Sequence, residues 1–251
     1  MKNPVIVLSI LLLLFSACNK APKDTSLSMK ELQELGMPDC DRIWTTADYS
    51  IANAVLLKVK NNHPYALPVK GSKRSGKVFA KLIDMENLSF LQNNSIPLHK
   101  RAYMISNFLG VNDDLINIYT NQLMKKQYYN RELVYLYIFW INVTQKMLDL
   151  ADEINKSDTP ENKKMQKGYE SIQMAYLISI NMTLENQKKI SQYPFEDSDI
   201  LTDSLINSIK RNMDWFDDGT SENLKQKLSS VINSTSSVKT QNGYKRLINS
   251  L

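Results

Sequence analysis

The densest set of residues able to hold a charged ligand is Gly71-Ser72-Lys73-Arg74-Ser75-Gly76-Lys77-Val78. Its spacing fits a phosphate-binding loop, in which backbone amides and the lysine surround phosphates and a following Ser or Thr hydroxyl holds magnesium. Val78 stands where that hydroxyl belongs and cannot ligate a metal. The stretch before it, His63-Pro64-Tyr65-Ala66-Leu67-Pro68, has two prolines where the motif needs a buried strand. Nucleotide binding is therefore set aside. What remains is a basic loop entering a helix. Lys70, Lys73, Arg74 and Lys77 are its candidates for holding an anion, such as a lipid phosphate or a partner's carboxylate. The competing role for such residues is a solvated basic surface.

Other chemistries are thinly represented. His63 and His99 are the only histidines and belong to no ligand-spaced cluster, so no metal site is expected. Glu196-Asp197-Ser198-Asp199 and Asp214-Trp215-Phe216-Asp217-Asp218-Gly219 lack the alternating oxygen ligands and distal Glu of a calcium loop, and read as helix caps and solvated turns. A serine nucleophile would have to rely on one of the two histidines, and no Gly-x-Ser-x-Gly elbow is present. A pair of glycosidase carboxylates scattered along the chain stays open. Tyr128, Tyr129, Tyr135, Tyr137, Phe139 and Trp140 would make a stacking surface if exposed, but at helical spacing within an apolar run they read as core. No catalytic residue and no cofactor is assigned.

The clearest functional signal lies at the beginning. Lys2 is followed by an apolar stretch from Pro4 to Phe15, broken only by Ser9, and by the small pair Ser16-Ala17. That is the layout of a secretory signal, and the run is well short of the roughly 20 residues a membrane-crossing helix needs. Leu14-Phe15-Ser16-Ala17-Cys18 resembles the lipobox of bacterial lipoproteins, with Phe15 where that family usually has Leu. The resemblance implies cleavage after residue 17 and acylation of Cys18, tethering the mature chain to a membrane of the cell envelope. Asn19, where an enteric lipoprotein retained in the inner membrane would carry Asp, favours the outer membrane. Each buried methylene of an acyl chain contributes about 0.8 kcal/mol, so a triacylated Cys18 would hold firmly. Cys40, the other of the two cysteines, then lacks an internal partner and is either a small buried residue or a thiol open to a partner chain. The expected organisation is a signal over 1–17, a flexible tether over 18–31 and a helical domain over 32–251.

Seven Gly and eight Pro in 251 residues, with abundant helix formers and no sustained two-residue alternation, predict an all-α chain. The expected architecture is a single irregular multi-helix bundle of about eight to nine helices. Residues 32–41 read as a loop. Thr45 or Thr46 caps a first helix ending before Asn61-Asn62-His63-Pro64, and a second starts near Ser75. Pro97 opens a short helix that stops at Gly110, and Asn112 or Asp113 caps the next, with Leu123 and Met124 on its apolar side. Leu133 to Val143 is apolar on nearly every side, which predicts a buried central helix. Thr159-Pro160 starts a long helix reaching Lys189 before Pro194, and two more follow over 199–217 and 221–233. A last one begins near Thr240 or Asn242. The likeness of residues 137–144 to 176–183 suggests at most one duplicated hairpin, since repeat arrays need three copies.

A net charge of +5 falls short of a nucleic-acid footprint. With catalytic patterns missing, the leading expectation is a membrane-tethered accessory module that binds another envelope protein or a toxin, as immunity proteins do. A cell-envelope hydrolase and a carrier of an apolar ligand are the alternatives.

Overall fold

Side-chain caps set five of the helix starts. The computed structural model describes residues 24–120, 128–190 and 198–251, so the signal, Cys18, Leu123, Met124, Pro194, Glu196 and Asp197 lie outside the described residues. Among those described there are ten α-helices and no strand. Helix α1 (Met29–Glu34) starts at a capping box in which Ser28 and Glu31 satisfy each other's orphan amides. Helix α2 (Thr46–Asn62) repeats the device with Thr45 and Asp48, which is clamped further by the two terminal nitrogens of Arg42. Helix α3 (Gly76–Leu82) and a 3-10 turn (Met85–Gln92) lead to α4 (Leu98–Thr120). The central α5 (Asn130–Asn155) is followed by α6 (Pro160–Gln166), capped by Thr159 with proline in its first turn, and α7 (Tyr169–Ile190). The chain ends with α8 (Ser198–Asn212), α9 (Asp218–Ser234) and α10 (Val238–Ile248), the last two capped by Asp217 and Ser237.

The all-α reading holds, with several boundaries moved. Helix α1 begins inside the segment expected to be a tether, because the Ser28-x-x-Glu31 box starts it and Leu27 and Met29 donate amides to Ala66 and Arg74 carbonyls. Gly110 does not end a helix, and neither Asn112 nor Asp113 caps one. The stripe Ile105, Phe108, Leu115 and Tyr119 is buried without interruption, and its packing on α2 and α5 outweighs the loss of about 1 kcal/mol that a helical glycine brings. Conversely, the long helix expected from Pro160 breaks at Lys167-Gly168. There Gln166 turns back and donates to the carbonyls of Ile154, Asn155 and Ser157, completing the end of α5.

Helix α5 is the spine. Leu133, Val134, Leu136, Tyr137, Phe139, Trp140, Ile141 and Val143 are buried, and the helix packs on α4 to one side and on α7 and α8 to the other. Asn142 points to solvent, whereas the Asn181 Oδ1 on α7 is buried without a partner. Of the aromatic residues expected as core, Tyr129, Tyr137, Phe139 and Trp140 are buried, whereas Tyr128 and Tyr135 are only partly buried at its edge. Trp44, Tyr49, Phe108 and Phe139 form an edge-to-face chain with centroids 5.4, 4.7 and 6.0 Å apart. Cys40 is buried, and that burial pushes its thiol above the usual range, as for an inert packing cysteine.

Candidate functional site

The basic loop is built around serine hydroxyls. Gly71 sits at φ +74°, and a side chain on Gly76 would come within 3.3 Å of the Gly71 backbone, so both glycines let the loop fold tightly on itself. The Ser72 hydroxyl accepts from the amides of Arg74 (3.0 Å) and Ser75 (3.1 Å), and the Ser75 hydroxyl accepts from the Val69 amide (3.1 Å). Those amides are the groups that would grip a phosphate, and here side chains of the same loop use them. An internal carboxylate sits alongside: Asp24 accepts from the hydroxyls of Ser26 and Ser72. Burial would raise the Asp24 carboxyl, but those hydroxyls, the Ser26 amide and the charge of Arg74 hold it below its usual range.

The four basic side chains part company. Arg74 pairs with Glu31 at 3.2 Å, and Lys77 pairs with Asp41. Lys70 lies 4.3 Å above the Tyr135 ring while its amide donates to Glu132 at 2.9 Å. Glu132 is buried, and desolvation pushes its carboxyl above the usual range despite that amide. Lys73 projects into solvent. The loop therefore joins α1, α3 and α5 largely through charges balanced within the chain.

Two surface depressions present chemistry of other kinds. A cleft of 520 Å³ between the 3-10 turn and α5 is lined by Glu86, Asp149 and Glu153 over an apolar floor including Ile43 and Leu150. Asp149 is engaged by Arg211 at 2.7 Å, and Glu86 and Glu153 are exposed, so these acids do not converge in a buried setting. Between α4 and α6 lies an open groove of 680 Å³ with Tyr103, Met104 and Met165 as its apolar surface and His99, Lys100, Lys164 and Glu161 around it. Tyr103 is 68% exposed, the highest value among the large apolar side chains described as exposed. His99 belongs to this groove and exposed His63 does not, so the two histidines are not brought together. Among the described residues no three His, Cys, Asp or Glu side chains form a metal-binding group, and no helix is long and apolar enough to cross a membrane.

The sequence reading missed the groove. Its one signal was phase: with Arg101, Ala102, Ile105 and Phe108 facing inward, Tyr103 falls on the outer face of α4, where a large aromatic has no packing reason to be. Met165 carried no such signal, since it meets Tyr103 and Met104 only where α6 lies beside α4. No protein-family model, curated protein or solved structure matches this chain.

Proposed function

We propose that this chain is a lipid-tethered binding module of the cell envelope that docks a protein partner in the groove between α4 and α6. The observation that carries this reading is the exposed Tyr103 beside Met104 and Met165, with Lys100 and Lys164 flanking it. Aromatic and methionine side chains supply adaptable contact area, and partly exposed tyrosines are typical anchors of interface cores. The basic margin selects a segment that offers an apolar side chain between acidic ones, since opposite charges at a rim speed encounter and set register. Acylated Cys18, implied by the lipobox resemblance, would confine the module to the membrane surface and raise its encounter rate with partners held there.

A photo-crosslinking residue at position 103 of the full-length chain, produced in its native membranes, tests this. A discrete adduct is expected that disappears with Lys100→Glu/Lys164→Glu and weakens when Cys18→Ser releases the tether. An identical adduct pattern from a crosslinker at exposed Ser229 would reject the groove as the docking site. An adduct indifferent to Cys18→Ser would remove the tether from the mechanism.

A further inference from the structure

Helix α7 turns an uncharged face to solvent. Met174, Ile178 and Met182, four residues apart, are 57%, 52% and 42% exposed, and Ser171 and Ala175 are exposed on the same side. No residue from 171 to 184 is charged. An exposed helix face in water ordinarily carries charge, and three large apolar side chains in a row mark a surface made to be covered. Beside the stripe, Leu177 and Asn181 line a shallow hollow against Thr220 and Asn223 of α9, and the Asn181 Oδ1 there is an acceptor with no donor.

Charge resumes at both ends with opposite signs. Glu170 lies one turn before the stripe, and Lys188 and Lys189 lie just beyond it. Glu185 is already paired with Lys227 of α9. Residues 170 and 188 are 18 positions apart, five whole turns at 3.6 residues per turn, so they share one flank of the helix. Met174 and Met182 are symmetric about residue 178, and Glu170 and Lys188 about residue 179.

We infer that α7 pairs with α7 of a second copy of this chain, antiparallel, about a two-fold axis passing beside Ile178. A two-fold contact must be self-complementary, each residue meeting the partner residue on the opposite side of the axis. This face satisfies that condition. Ile178 meets its own copy, Met174 meets the second copy's Met182, and Glu170 meets the second copy's Lys188 at each end. The helix dipoles oppose one another in the same arrangement. A helix of 22 residues offers an overlap about 33 Å long. The pairing is independent of the Tyr103 groove, which lies between other helices.

Cysteine cross-linking in membranes bearing the full-length chain tests the register, with the unsubstituted chain, whose Cys40 is buried, as control. Ile178→Cys is expected to form a covalent homodimer by itself. Met174→Cys and Met182→Cys should cross-link when the two variants are produced together and not when each is alone. Glu170→Lys should lower the Ile178→Cys dimer yield about tenfold, because the axis repeats the lost ion pair twice, and adding Lys188→Glu should restore it. Positions 170, 174, 178 and 182 are exposed and Lys188 is half-buried, so the fold should persist. Self-cross-linking of Met174→Cys alone would show a parallel contact and overturn the proposal. So would a purified chain that is monomeric with no Ile178→Cys dimer, or an equal yield from Ser229→Cys on α9.

Discussion

The two flanks of α5 use buried tyrosines in opposite ways. On the N-terminal side the phenol hydroxyls satisfy backbone. Tyr49 donates to the Leu82 carbonyl (2.9 Å), Tyr119 donates to Pro68 (2.8 Å), and Tyr129 accepts from the Leu67 amide (3.0 Å). On the C-terminal side they meet other side chains. Tyr244 donates to the Gln187 carbonyl, whose amide donates to Thr202 (2.8 Å), which is hydrogen-bonded to Thr240 (2.8 Å), and Tyr176 pairs with Ser208 (3.0 Å). The cause lies in the backbone. Residues 63–75 and 83–97 are mostly loop and 3-10 turn, and their buried amides and carbonyls need partners that helix geometry does not provide. Helices α7 to α10 satisfy their own backbones, so polar side chains between them must satisfy one another. An irregular region thus spends its polar side chains on holding the chain's path, and a regular one on fixing how helices are aligned.

The two flanks meet on α5. Trp140 on α5 is 8% exposed, and Trp140→Ala should cost about 3–5 kcal/mol by chemical denaturation, the range for truncating a large core aromatic. A loss below about 1 kcal/mol would place Trp140 on a surface.

A middle-sized effect sharpens the contrast. Tyr119→Phe and Tyr244→Phe should each cost about 1–3 kcal/mol, because each strands a buried acceptor. The rescue should differ. Gln187→Met removes the group stranded by Tyr244→Phe, so the double variant should recover part of the loss. The Pro68 carbonyl stranded by Tyr119→Phe belongs to the backbone and no substitution removes it. Hydrogen exchange should then rise around residues 64–70 in Tyr119→Phe and across α8 and α10 in Tyr244→Phe. Equal spread of both effects would dissolve the distinction.

The smallest effect compares two helical glycines. Gly110 is exposed with open space around a would-be side chain, so Gly110→Ala should stabilise by up to about 1 kcal/mol. In α10, a Cβ on Gly243 would come within 2.8 Å of Ile206 Cδ1, so Gly243→Ala should gain less by however much it costs Ile206 to move. Equal thermal shifts would mean that α10 packs as loosely as the outer face of α4.

Much of the fold was legible because its causes are local. The caps at Thr45 and Thr159, proline in the first turn of α6 and the all-round apolar run of α5 act within a few residues, and each appears where its chemistry requires. The Ser28-x-x-Glu31 box was equally local and was passed over under the polar composition around it.

What the residues alone determined is the helical class, most of its punctuation and the burial of 133–143, all of which follow from periodicity and capping within a turn or two. Tertiary structure decided whether Gly110 and Gly168 interrupt a helix. The first is overruled by continuous packing on two neighbours, and the second is enforced by Gln166 reaching the end of α5. It also decided what the charges of 70–77 do, since Glu31, Asp41 and Glu132 come from three other segments. The outward faces of α4 and α7 were settled in the same way. A surface is what remains when every other face has been covered, and that is a property of the whole chain.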